Sequence, residues 1–351
     1  MKKIILLFAI ILSSVVVNAQ NPSSKEVKAI QAFLNQPSIL GVTNAQAIGV
    51  DESNPETWYG VTWSRGHVVS IDWSDKKLTG VLDLSSFTAL RKLDVSKNAL
   101  TGLSVQGCTS LMELNASHNK LTQFNVNGCT VLAKLNIYKN RLLEIELSGT
   151  PMLTQVNCSN NLFVDLNVSN AMNLESLNCQ SNHLERLEVS GCTQLKHLYA
   201  GYNKLTTVNL FGLENLLTLN VDGNEINTMY MANMPALLTL MCSDNNMTSL
   251  VVKNCDNLSD LICSYNRLTS LEVSGCQNLQ FVDCSYNNLS ELTLSNQPIL
   301  QRLLCNNNFL TDLDVSYDTQ LYYINCRGNQ LFTFTRIGCD NLRMVACQWN
   351  M

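Results

Sequence analysis

The stretch LEVSGCQNLQFVDCSYNNL, residues 271–289, joins the second half of one short unit to the first half of the next. Its two cysteines, Cys276 and Cys284, stand eight residues apart, and Asn287 stands near the end of that first half. The same register runs outward in both directions. Asparagine recurs every 21 residues, at Asn98, Asn119, Asn140, Asn161, Asn182, Asn203, Asn224, Asn245, Asn266, Asn287, Asn308, Asn329 and Asn350, with no insertion or deletion. Leucine fills a second column from Leu90 to Leu342 without exception, and the column that starts at Leu93 is Leu, Val or Ile throughout. Self-similarity at a fixed short period is the signature of a stacked-coil architecture. One long body is therefore expected, not two ordinary globular domains.

Each unit reads L-x-x-L-x-(V/C)-x-x-N-x, then L-x-x-L-x-V-x-x-(C/x)-x-x. In LRKLDV (90–95), Leu93 and Val95 point one way and Lys92 and Asp94 the other, the period-2 pattern of a strand. A single strand of this kind cannot bury its apolar face alone. Stacked at about 4.8 Å per strand, thirteen units build a rod about 60 Å long around one continuous dry column. Each in-register Asn carries donors and an acceptor for backbone groups at the bend, which would otherwise be buried unpaired. These asparagines are read as structural, with no ligand role. The second half-unit repeats the pattern with frequent Val and Thr, as in LTSLEV (268–273), so short strands are expected there rather than helices.

The units resemble the leucine-rich repeat family, and the nested 21-residue form looks like the bacterial class sometimes called IRREKO. The resemblance covers residues 67–351. It implies a mostly β solenoid of the α/β class: a right-handed superhelix of about 13 turns, with a parallel concave sheet and extended or short-strand segments on the convex side. Residues 20–66 do not repeat. SSKEVKAIQAFLNQ (23–36) has a helical apolar rhythm, and TWYGVTWSRGHVVSIDWSDKKLTGVLDL (57–84) looks like the N-terminal cap of plant-type and related bacterial members. Where such caps place a cysteine, this chain has Trp63, so burial of Trp58, Trp63 and Trp73 is expected to replace a capping disulfide. The first repeat is irregular, 22 residues from Ile71 to Leu93, with Lys77 near the missing asparagine rung.

The chain has 14 cysteines. Eight (158, 179, 242, 263, 284, 305, 326 and 347) share the strand column that begins at Val95, and six (108, 129, 192, 255, 276 and 339) share a column in the second half-unit. Both columns face inward by periodicity, and the other occupants of the strand column, Val95, Ala116, Ile137, Ala200 and Val221, are apolar, as around a buried thiol. Partners within a unit do not appear and vanish together, so the thiols read as core filler. Bridges between neighbouring turns stay open, because adjacent turns have a permitted Cα spacing. The four histidines are scattered and no C-x-x-C occurs, so neither a metal site nor a cofactor is expected.

Residues 1–19, MKKIILLFAIILSSVVVNA, pair a basic start with an apolar run too short for a spanning helix, as in a cleaved secretory signal. The expected location is therefore exported: extracellular, cell surface or periplasmic. The net charge of −5 becomes −7 without Lys2 and Lys3, which argues against nucleic-acid partners and against docking on anionic lipid. SDN at 243–245 and SDKK at 74–77 echo serine β-lactamase motifs, but Asn245 is a ladder position and no K-T-G follows. No enzymatic constellation emerges. The family resemblance implies protein–protein interaction through the concave face. The candidate contact residues are His197, Tyr199, Tyr202, Tyr265, Phe281, Tyr286, Arg302, Tyr322 and Tyr323, since exposed aromatics with arginine favour binding hot spots. The outward column through Asn115, Asn136, Asn157 and Asn178 reads equally as polar filler or recognition surface. Alternative readings are a glycan-binding envelope protein, or a self-associating element that meets a second copy end to end through its C-terminal edge.

Overall fold

A computed structural model describes residues 22–350 apart from 86, 170, 295 and 296. The expected signal sequence, residues 1–19, and Met351 lie outside the described residues. Two short helices open the described part of the chain. The first, α1 (Ser24–Leu34), buries Ile30, Phe33 and Leu34. Its Glu26 is buried too, accepting from the Val68 backbone N–H at 2.8 Å and meeting His67 Nδ1 at 3.1 Å, which pins the helix to the first hairpin. The second, α2 (Asn44–Ile48), starts at a reciprocal Thr43–Gln46 capping box and ends at left-handed Gly49. Trp58, Trp63 and Trp73 are all buried, and Phe33 stacks on Trp73 with ring centres 5.8 Å apart. Aromatic burial does seal this end of the core.

An antiparallel hairpin, Val61–Ser64 with His67–Asp72, begins a sheet of 15 strands that then runs parallel to Met344–Ala346. The first repeat is 22 residues long in register, Ile71 pairing with Leu93, and every later step is 21. That register places Lys76 at the missing rung, next to Lys77. Most strands contribute three residues with only the middle one buried, so the leucine column lines the core and the flanking positions face out.

The asparagine rungs behave alike. Asn119 Nδ2 donates to Ala116 O in its own turn (3.1 Å) and to Val95 O in the turn before (2.9 Å), while its Oδ1 accepts from Leu100 N at 2.9 Å. Asn182, Asn245 and Asn308 repeat the set. One side chain thus satisfies backbone groups of two turns. The residue before each rung is left-handed, from Lys97 to Trp349, which forms a ridge along one side of the sheet.

The opposite side is discontinuous. Its short strands pair in four separate groups: Thr79–Asp83 with Ala99–Ser104 and Gln123–Asn125; Asp165–Asn167 with Arg186–Glu188; Thr228–Ala232 with Ser249–Lys253 and Ser270–Ser274; Asp312–Asp314 with Thr333–Thr335. Between the groups, the segments at 144–148, 207–211 and 291–294 form no strand. The second cysteine column marks this pattern. Each turn whose convex strand bonds back to the turn before carries Cys108, Cys129, Cys192, Cys255, Cys276 or Cys339. Each turn that does not bond back carries Thr150, Ala171, Leu213, Met234, Gln297 or Asp318. The thiols of Cys108, Cys129 and Cys192 donate to carbonyls 24 residues earlier at 3.1–3.2 Å. A thiol is small enough to sit beneath that carbonyl and still satisfy it; Leu, Met and Gln are larger, and Ala cannot donate. A long sheet bonded throughout, backed by a side that spreads at three turns, curves toward the long sheet and makes that face concave.

All 14 cysteines are free and 13 are buried, Cys347 being exposed. Burial pushes the Cys158 and Cys284 thiols up to about 12, far from the reactive thiolate. Brief treatment of the native protein with iodoacetamide is expected to add one adduct, at Cys347, and treatment in denaturant to add one at every cysteine. Rapid native labelling of several ladder thiols, read by peptide mass spectrometry, would contradict the dry columns.

Candidate interaction face

The exposed positions flanking each buried strand residue form two columns along the long sheet. In the N-terminal half they line a groove of about 670 Å³ that spans the strands from Lys92–Asp94 to His197–Tyr199. Its first column is charged: Lys92 and Lys134 flank Glu113 at 3.3 and 3.5 Å. The hydrogen bond from Lys92 holds the Glu113 carboxyl below its usual range, with the Lys134 charge adding to it. These residues are well exposed, so the ion pairs set a surface pattern and add little stability.

The second column is the asparagine stripe. Each side-chain oxygen is spent on its own turn: Asn115, Asn136, Asn157 and Asn178 Oδ1 accept from the N–H two residues on, at 3.1–3.2 Å. The amide nitrogens are not so used. Asn115 Nδ2 donates to Asp94 Oδ2 at 3.0 Å, while those of Asn136, Asn157 and Asn178 have no partner among the described residues and line the groove. Among the described residues the stripe is thus bonded within its own turns on its acceptor side and presents unpaired donors on the other. A donor row one strand spacing apart suits the carbonyls of a polypeptide or the hydroxyls of a sugar.

The candidate contact residues divide into two groups. His197 and Tyr199 sit on one strand with parallel rings 6.3 Å apart and close the far end of the polar groove. Tyr202 follows on the left-handed ridge, its ring over Gly223, where any Cβ would come within 2.7 Å of it. The second group lies four strands further, about 19 Å away. There Phe281, Arg302 and Tyr323 occupy the first column on three consecutive strands. The Arg302 guanidinium lies 4.8 Å from the Phe281 ring centre and 5.9 Å from that of Tyr323, a cation held between two aromatic rings. On the ridge beside them Tyr265 and Tyr286 stack face to face at 4.3 Å and 8°. Their backbones are left-handed, at φ 53° and 54°, a conformation that costs a non-glycine residue about 1–2 kcal/mol. Both rings are exposed, 57% and 44%. Tyr322 sits just before its strand, exposed at the sheet margin and outside the aromatic–arginine row.

Sequence reasoning missed the Lys92–Glu113–Lys134–Gln155 row. The signal was available in the column one residue before each buried Leu. Among the described residues no three His, Cys, Asp or Glu side chains converge to hold a metal ion, and no helix is long and apolar enough to cross a membrane.

No family model matches the chain. Among solved structures it is similar to the functional domain of InlJ from Listeria monocytogenes, which includes a cysteine ladder: 25% identity, TM-score 0.58, covering 92% of this chain and 64% of that one. The chain thus spans just under two thirds of that domain's length. An internalin, InlF, from Listeria monocytogenes matches at 18% identity and TM-score 0.61 over 93% of this chain and 95% of that one. YopM, a leucine-rich effector protein from Yersinia pestis, matches at 20% identity and TM-score 0.61 over 79% and 88%.

Proposed function

We propose that this leucine-rich repeat protein is an exported, non-enzymatic interaction module that holds a protein partner against the concave face of its long sheet. The observation that carries this reading is the second aromatic group. Two exposed tyrosines stacked at strained backbone positions flank an exposed arginine seated between two half-buried rings, about 19 Å along the same sheet from the end of the groove with its unpaired amide donors. Exposed Tyr and Arg concentrate binding energy at interfaces, and a polar margin of free donors fixes register. The apolar leader supports export. A glycan ligand is less favoured, because Tyr265 and Tyr286 turn one face each toward the other instead of leaving both open to a sugar ring.

The test is capture of partners from cell-envelope and medium fractions on immobilised protein, followed by titration of the purified partner. The double variant Tyr265→Ala, Tyr286→Ala and the single variant Arg302→Ala are each expected to weaken binding about 30-fold, the effect of losing a hot spot of about 2 kcal/mol. Melting temperatures should hold, since these side chains are outside the core. A partner whose affinity ignores both variants binds elsewhere and would overturn the reading.

A further inference from the structure

On the convex side, the turn at 206–212 makes no backbone hydrogen bond to the turn on either side among the described residues. Its neighbour Thr228–Ala232 is a five-residue strand bonded to Ser249–Lys253 on one side only. Asn227 O and Asn233 N bond toward that partner. Alternation along a strand then turns the N–H and C=O groups of Thr228, Tyr230 and Ala232 toward the open side. The two turns part there to leave a cleft of about 620 Å³.

The cleft has side chains suited to an apolar guest. Met229, Met231 and Met234 line it with Leu210 and Phe211, and Phe211 and Tyr230 are 88% and 70% exposed. Methionine adapts its shape to what it touches. Glu214 is the one charged residue among those lining the cleft. The break at 144–148 leaves a smaller cleft of about 390 Å³ beside a strand of only three residues.

We propose that this cleft is a second binding site, separate from the concave face, and that it takes an extended peptide segment that adds to Thr228–Ala232 as a new strand. A row of strand donors and acceptors with apolar walls is complemented by another extended backbone carrying apolar side chains. The Glu214 carboxylate selects a basic residue near one end of that segment. An unprotected strand edge in mid-solenoid is otherwise an aggregation hazard, and this one bears neither lysine nor proline to blunt it.

The probe is a fluorescein-labelled peptide MTSLVVKN, copying residues 247–254, whose strand already pairs with Thr228–Ala232 from the other side. Fluorescence anisotropy against the full chain is expected to show saturable binding. Methylating alternate backbone nitrogens of the peptide should weaken it at least tenfold, and changing its lysine to glutamate several-fold. Tyr230→Pro, which removes an N–H on the open side, should also weaken binding at least tenfold. Phe211→Ala, at an exposed position that leaves the fold intact, should do so several-fold. Absence of saturable binding would overturn the proposal. So would equal binding of parent and N-methylated peptides, or equal binding by wild type and Phe211→Ala. None of these outcomes bears on the concave-face variants.

Discussion

The stability difference between Asp318→Asn and wild type is expected to widen by about 4 kcal/mol in favour of the variant between pH 4 and pH 8. Asp318 occupies the convex cysteine column, only 4% exposed. Burial pushes its carboxyl from the ordinary 3.8 up to about 7, and the Asp314 charge adds to the effect. The folded state therefore holds a proton that the unfolded chain has already released. The stability contributed by this proton is fully present below pH 3.8, falls as pH rises, and is lost once pH passes about 7. His118 acts in the opposite sense, since burial lowers it from 6.5 and stability is lost as pH falls. Comparing the two proteins at each pH cancels that contribution. Parallel urea titrations at pH 4, 5, 6, 7 and 8 measure the widening. Curves that stay parallel would show that Asp318 is ionised in the fold.

Asn224→Ala should lower unfolding free energy by about 3 kcal/mol at neutral pH. Its Nδ2 donates to Ala200 O at 3.1 Å and Val221 O at 3.0 Å, and its Oδ1 accepts from Leu205 N at 3.0 Å. At 7% exposure, water cannot replace these partners, so the substitution strands groups in two turns at once. Asn350→Ala is the internal comparison. That rung is half-buried and makes the same contacts with more solvent at hand, so its loss should cost below about 1 kcal/mol. Equal midpoints for wild type and Asn224→Ala in urea would remove the rung from the account of stability.

The register of the long sheet was readable because a parallel stack repeats its constraints. Any residue that fails to fill the Leu column or satisfy the bend fails in the same way at every turn. Cysteine burial was readable for the same reason, though not the exposure of Cys347. The aromatic group was partly readable. Phe281, Arg302 and Tyr323 fall in one column, but the stacking of Tyr265 on Tyr286 depends on ridge geometry that no propensity encodes. The short helix Asn44–Ile48 was missed although Thr43 and Gln46 spell its capping box. The breaks were missed although the column sequence Thr150, Ala171 and its two later counterparts announces them. Reading each column alone hid a signal that lies in consecutive non-cysteine pairs.

Those breaks divide the molecule mechanically. Within each block two hydrogen-bonded zippers, one on each side, share any load along the axis. At the three joints a single zipper carries it. A pull on the ends, or a partner too flat or too curved for the resting shape, will first open the joints and leave the blocks stiff. The protein can thus change its arc in steps, at places fixed by six residues, while the buried column stays closed.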